Sequence, residues 1–174
     1  RGLRREILKL TEEPAWSNHW SGESDIPDFS HVQQQFRTLL AAGQADALLE
    51  VGDELWRRGN EQVAESNDEG ETGDAIAQCL DIVLRALPCS SLSGSEQLLW
   101  VIDRLLADEY GLLHSGEKML DDPRCSPEDW RQVATTLEQR FAAAPKVSSR
   151  TRETSSYRQT ELQGRLISAY RRSG

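Results

Sequence analysis

Ser30-His-Val-Gln-Gln-Gln-Phe36-Arg-Thr-Leu-Leu40-Ala-Ala-Gly43-Gln-Ala-Asp46-Ala-Leu48-Leu-Glu-Val51-Gly-Asp-Glu-Leu55 is the stretch on which the fold turns. Val32, Phe36, Leu39 and Leu40 recur at the helical period and mark one apolar stripe. Ser30 stands where an N-cap belongs, and Gly43 where a helix ends with a left-handed residue. A second helix opens near Asp46 and runs to about Glu65, with Leu48, Val51, Leu55 and Val63 on its face. So short a turn between two helices predicts an antiparallel hairpin. Gly52 and Gly59 lie beside the second stripe. Each costs a helix about 1 kcal/mol relative to alanine, so their presence predicts close approach of a neighbour.

The same period extends in both directions. Upstream, Leu3, Ile7 and Leu10 define a short helix over Leu3–Glu12 that Pro14 ends. Residues 13–29 read as irregular, with Trp16 and Trp20 expected to pack on the first helices. Downstream, Ser66–Gly73 reads as an acidic loop. A fourth helix follows from about Asp74 to Leu87, carrying Ile76, Cys79, Leu80 and Val83, and Pro88 stops it. A fifth, from about Ser95 to Tyr110, has the broadest apolar face (Leu98, Leu99, Trp100, Val101, Ile102, Leu105, Leu106) and is expected to be the most central. The serines around its start read as capping and turn residues. A short helix is expected at Gly116–Asp121. Ser126-Pro127-Glu128-Asp129 then announces another: N-cap serine, proline at the first helical position, acids in the first turn. Trp130, Val133, Leu137 and Phe141 line it, and Pro145 ends it. No run alternates as a half-buried strand requires. The expected class is therefore all-α: an irregular array of antiparallel α-hairpins, about six or seven helices. Leu40–Leu48 resembles the turn of a tetratricopeptide-type hairpin, but no 34-residue period recurs.

The 174 residues carry 20 basic and 29 acidic side chains, a net charge of −9. Residues 44–74 hold ten acids and two arginines, whereas 145–174 hold seven basic residues and two acids. The expected division is an acidic helical domain over 1–144, a basic Ser/Thr/Arg linker over 145–156, and a C-terminal helix or tail over 157–174. The last helix has only Leu162, Leu166, Ile167 and Tyr170 to bury, so it is expected to dock elsewhere or on a partner. An acidic body repels the nucleic-acid backbone, leaving the tail (Arg150, Arg152, Arg158, Arg165, Arg171 and Arg172) as the candidate for phosphate contact. Cys79, Cys89 and Cys125 have no paired spacing, which points to a reducing, cytoplasmic compartment. No segment has the length and apolarity of a membrane span. Arg1 at the start and Met119 as the only methionine point to a piece of a longer chain.

Chemistry is sparse. His19, His31 and His114 lack a second ligand at metal spacing. Placing Gly70 or Gly73 at the sixth position of a calcium loop fails in both registers. Glu50 with Asp53, Glu61 with Glu65, and Asp103 with Asp108 and Glu109 could build a magnesium site in an all-α hydrolase, but read more simply as solvated faces with pairs such as Glu54–Arg58. No nucleophile elbow or phosphate-cradling loop is present. The candidates for partner contact are Trp56 and Arg57, just off an apolar stripe, and Asp68, Glu69 and Glu71 in the acidic loop.

Asp68-Glu-Gly-Glu-Thr72, Ile76-Ala-Gln-Cys-Leu80, Leu84-Arg-Ala-Leu-Pro88, Ser90-Ser-Leu92 and Glu96-Gln-Leu-Leu-Trp100 through Asp108-Glu-Tyr110 resemble the helical region of bacterial SWIM zinc-finger proteins, as do Ile26–Ser30 and Leu39–Gly43. The similarity covers residues 1–142. It implies a non-enzymatic helical module attached to a zinc-binding one. The zinc ligands of that family, a C-x-C and C-x-H pair, are absent, so no cofactor is expected in this chain. The reading is then a helical scaffold for an unidentified protein partner. The alternatives are a nucleic-acid-associated accessory module and a metal-dependent hydrolase.

Overall fold

A computed structural model describes residues 2–18, 20–143 and 152–174, with side chains in the last segment from residue 159 onward. The described residues are mostly helical, and the only strands among them are two of three residues each, so the class is all-α. The elements are α1 (Gly2–Leu10), β1 (Trp16–Asn18), β2 (Glu23–Asp25), α2 (Ser30–Ala41), α3 (Ala45–Glu65), α4 (Glu71–Ala86), a 3-10 turn (Leu87–Cys89), α5 (Gly94–Leu105), α6 (Gly116–Met119), α7 (Pro127–Ala143) and α8 (Arg152–Arg172). Eight α-helices are thus described, against the six or seven expected. The chain divides into two compact units. Arg1–Ser91 with Asp108–Ser115 form one, and Leu92–Ala107 with Gly116–Gly174 the other.

In the first unit the α2–α3 hairpin forms as its sequence requires. Gly43 takes φ +69°, and the Gln44 and Gly43 N–H groups donate to Leu39 and Leu40 carbonyls, both at 3.0 Å. This is the Schellman closure that glycine permits. Ser30 does not cap α2; its own N–H donates to Asp28 Oδ1 at 2.9 Å, two residues earlier. Phe29 holds the N-cap position at φ −84° and ψ 4°, and no side chain caps the helix there, because a cap requires extended backbone and a side-chain oxygen that phenylalanine lacks. α3 and α4 pack antiparallel. A Cβ on Gly52 would lie 2.6 Å from Val83 Cγ1, and one on Gly59 3.0 Å from Ile76 Cγ2. Both glycines are therefore sites of close approach.

α4, rather than α5, is the most enclosed helix. Ile76, Ala77, Cys79, Leu80, Ile82, Val83, Leu84 and Ala86 are all buried, so apolar side chains cover most of its circumference. Burial pushes the Cys79 thiol up to about 12, which makes it a packing group rather than a nucleophile. α4 also begins at Glu71, three residues before the expected Asp74, because Gly70 at φ +96° and the Asp68 carboxylate start it. Helix α5 stops at Leu105 instead of Tyr110. Only Ser95, Leu98, Val101 and Ile102 are buried on it, since Trp100 is half-buried beneath the Arg104 guanidinium, 3.7 Å from the ring centroid.

In the second unit two reciprocal caps set helix starts. Ser93 Oγ accepts the Glu96 N–H, and the Ser93 N–H donates to Glu96 Oε2 at 2.7 Å. Ser126 Oγ accepts the Asp129 N–H at 3.1 Å, and the Ser126 N–H donates to Asp129 Oδ2 at 2.8 Å. The Ser93 and Ser126 hydroxyls, donating to Glu96 Oε2 at 2.7 Å and Asp129 Oδ2 at 2.6 Å, together with the serine N–H groups hold these two carboxyls below their usual range, and the Arg124 guanidinium holds Asp122 at about 2. A depressed carboxylate stabilises the fold above its unfolded pKa, and that contribution is lost as the pH falls through the folded value. The melting temperature of the second unit is therefore expected to hold from neutrality to about pH 4 and to fall steadily toward about pH 2. A melting temperature unchanged over that window in circular dichroism would contradict these caps.

Helix α8 starts at Arg152, before the expected Tyr157, and pairs with α7. Residues 144–151, most of the expected linker, lie outside the described residues. Ala169 is its one fully buried apolar side chain among those described, with Leu162 and Leu166 half-buried.

Candidate interaction surface

The candidates in α3 and the acidic loop are mostly committed to the fold. Trp56 is half-buried, and its indole N–H is enclosed without an acceptor, so its polar edge faces inward. Arg57 donates to Glu54 at 3.1 Å and to Glu61 at 2.8 Å, while Arg58 donates to Glu54 at 2.6 Å. The Arg58 guanidinium holds the Glu54 carboxyl below the usual carboxylate range. Asp68 Oδ2 accepts the Thr72 N–H at 2.9 Å, and Oδ1 accepts the Gly70 N–H at 3.3 Å. Partial burial pushes that carboxyl up, but the donors from Thr72 and Gly70 outweigh it and the net direction is down. Glu71 accepts the Glu69 N–H at 2.9 Å. Two of the three loop acids thus organise the start of α4, and all five candidates belong to the first unit.

What sequence reading missed is a small antiparallel hairpin at residues 16–25. Trp16 pairs with Asp25, Ser17 with Ser24 and Asn18 with Glu23. Its strands are too short and too polar to show alternation, so turn chemistry builds it. Asn18 Oδ1 accepts the Trp20 and Ser21 N–H groups at 3.0 and 3.3 Å, and Gly22 at φ +70° donates its N–H to the Asn18 carbonyl at 2.9 Å. The Asn…Gly pair around the turn was the available signal. The hairpin is tied to the loop after α3. The Ser17 N–H donates to the Asn67 carbonyl at 3.0 Å, the Asn67 N–H to the Ala15 carbonyl at 2.8 Å, and the Ala15 N–H to Ser66 Oγ at 2.8 Å. Below it, the buried Gln62 amide donates to the Leu10 and Glu13 carbonyls, each at 2.8 Å.

The two tryptophans do not pack on the first helices as expected. Trp20, at the tip, is 96 % exposed, and Trp16 is 44 % exposed. Because cross-strand partners share a face, Trp16, Asn18, Glu23 and Asp25 lie together on one side, and all four are exposed. The loop of Asn67 and Asp68 borders them.

In the second unit, two of the tail arginines with described side chains, Arg165 and Arg172, are occupied. Arg165 donates to Glu117 at 2.8 Å and holds that carboxyl below its usual range. Arg172 donates to the Leu120 carbonyl at 2.6 Å and to Asp121 at 2.7 Å, and lies 4.9 Å from the Trp130 ring centroid. They line a cavity of about 150 Å³ with Ile102, Leu120 and Trp130. Arg171 is exposed; Arg150 lies outside the described residues, as do the side chains of Arg152 and Arg158. Arg172→Ala is expected to remove a cation–π contact and two hydrogen bonds, costing about 1–2 kcal/mol and shifting Trp130 emission to the red. Lysine at 172 should restore only part, because it lacks the planar stacking face. Unchanged emission would show that Arg172 does not cover the ring.

Among the described residues no three His, Cys, Asp or Glu side chains converge on a point that could hold a metal, and no helix is long and apolar enough to cross a membrane. No family model, curated protein or solved structure matches the chain. The resemblance to SWIM zinc-finger proteins therefore finds no support from these comparisons.

Proposed function

We propose that the protein is a non-enzymatic helical scaffold that binds another protein, and that the hairpin at residues 16–25 is its contact surface. The observation that supports this is Trp20, a large aromatic side chain held 96 % exposed on a turn ordered by Asn18 and Gly22. Exposing an indole to water costs free energy that a partner recovers, and tryptophan is enriched among the residues that dominate interfaces. The candidate surface moves accordingly, from Trp56 and Arg57 to Trp16 and Trp20, with Asp68, Glu69 and Glu71 at its border. The free thiols of Cys79, Cys89 and Cys125 are consistent with a reducing, cytoplasmic setting.

The test replaces Trp20 with a photo-reactive phenylalanine and irradiates the cells that make the protein. A covalent adduct to one protein is expected, absent when the same group stands at exposed Arg85. Equal labelling from both positions, or adducts to nucleic acid alone, would sink the reading.

A further inference from the structure

The hairpin face has a chemical character that narrows its partner. Trp16 stands directly opposite Asp25, and Asn18 opposite Glu23, on one exposed side of the two strands. Direct cross-strand neighbours hold their Cβ atoms about 4.5–5.5 Å apart. An indole face and a carboxylate at that spacing can engage a single cation together, one by its quadrupole and the other by its charge.

The surroundings reinforce this. Residues 10–36 and 59–84 contain twelve Asp and Glu and not one Lys or Arg. The fold brings these two segments together through the pairing of residues 15 and 17 with Asn67, and through Gln62 beneath them. At the base of the hairpin, Asp25 also borders a cavity of about 310 Å³ whose other charged lining residues are Glu12, Glu13 and Lys9. The exposed rings thus sit in a field that attracts cations and repels anions. A neutral apolar partner would use the tryptophans but not the carboxylates.

We infer that the face formed by Trp16, Glu23 and Asp25, with Trp20 at the adjoining tip, binds a lysine- or arginine-rich segment of a partner protein. This deepens the scaffold reading and rests on it.

The experiment uses the whole chain and three labelled peptides of equal length: a Lys-Ser repeat, a Gln-Ser repeat and a Glu-Ser repeat. Fluorescence anisotropy should show binding of the Lys-Ser peptide alone, weakening as salt is raised. Trp20→Ala and Trp16→Ala should each weaken it about 2- to 5-fold, the range of an exposed cation–π contact. Glu23→Gln combined with Asp25→Asn should weaken it as well. All four positions are exposed, and circular dichroism confirms that each variant keeps its helices. Undiminished binding of the Lys-Ser peptide to a Trp16→Ala/Trp20→Ala double variant would overturn the inference, because it would reduce to general attraction by a chain of net charge −9. Trp20-dependent binding of the Gln-Ser or Glu-Ser peptide would overturn the cationic specificity and leave the scaffold reading standing. So would failure of the Lys-Ser peptide to bind while position 20 still cross-links to a protein. Loss of both results overturns both readings.

Discussion

Leu80→Ala is expected to destabilise the first unit by about 2–5 kcal/mol. Leu80 lies in the middle of α4 and is fully buried, with Ile76, Cys79, Val83 and Leu84 enclosed around it on the same helix. Removing its isobutyl group loses the transfer free energy of that group and leaves a cavity that rigid neighbours fill only in part. Domains of this size are stable by about 5–15 kcal/mol, so the change is a large share of the total. Two controls sharpen it. Leu8→Ala, at a side chain 36 % exposed, should stay within about 0.5 kcal/mol. Leu99→Ala, on the half-buried side of α5, should fall between the two. Denaturant titration followed by circular dichroism reads all three. A larger loss at Leu99 than at Leu80 would restore α5 as the central helix.

That contrast shows where sequence periodicity succeeds and where it stops. The α2–α3 hairpin was legible because, the Ser30 cap apart, its local signals agreed: a four-residue apolar stripe, Gly43 at the one position needing φ above zero, and two glycines where neighbouring side chains press in. The caps at Ser93 and Ser126 were legible for the same reason. Rank of burial was not. α5 has an unbroken apolar run, Leu98–Ile102, but such a run wraps around the helix, whereas enclosure depends on how many neighbours a helix has. The hairpin at 16–25 was illegible for a different reason. Strands of three residues are too short to show a period, and tryptophan reads as a core residue until its exposure is seen. The contact surface therefore arose where sequence rules expect burial and the structure leaves an indole in water. α8 was the opposite case. Its thin apolar face was visible, but the arginine contacts that seat it on Glu117, Asp121 and Trp130 join positions about 40–50 residues apart, beyond any local pattern.

Gly52→Ala should be destabilising, although alanine is the better helix former by about 1 kcal/mol. The opposing effect is steric. The added Cβ would meet Val83 Cγ1 and Cγ2 at 2.6 Å and Val83 Cβ at 3.2 Å, and Val83 is itself fully buried. A β-branched side chain on a helix has one strongly preferred rotamer, so Val83 cannot swing aside, and relief requires α3 and α4 to part. Overpacking of this kind costs about 1–3 kcal/mol, which exceeds the propensity gain over most of its range. Gly59→Ala should be milder, because its nearest contact, Ile76 Cγ2, is at 3.0 Å and belongs to a longer side chain. The decisive comparison is a double-mutant cycle with Val83→Ala. Removing the two methyl groups that block position 52 should let alanine be accommodated there, so the double variant should be more stable than the sum of the single losses by about 0.5–3 kcal/mol. Additive losses would mean that Gly52 is retained for a reason other than the approach of α4. A Gly52→Ala variant more stable than the parent would show that the two helices have room to spare at this crossing.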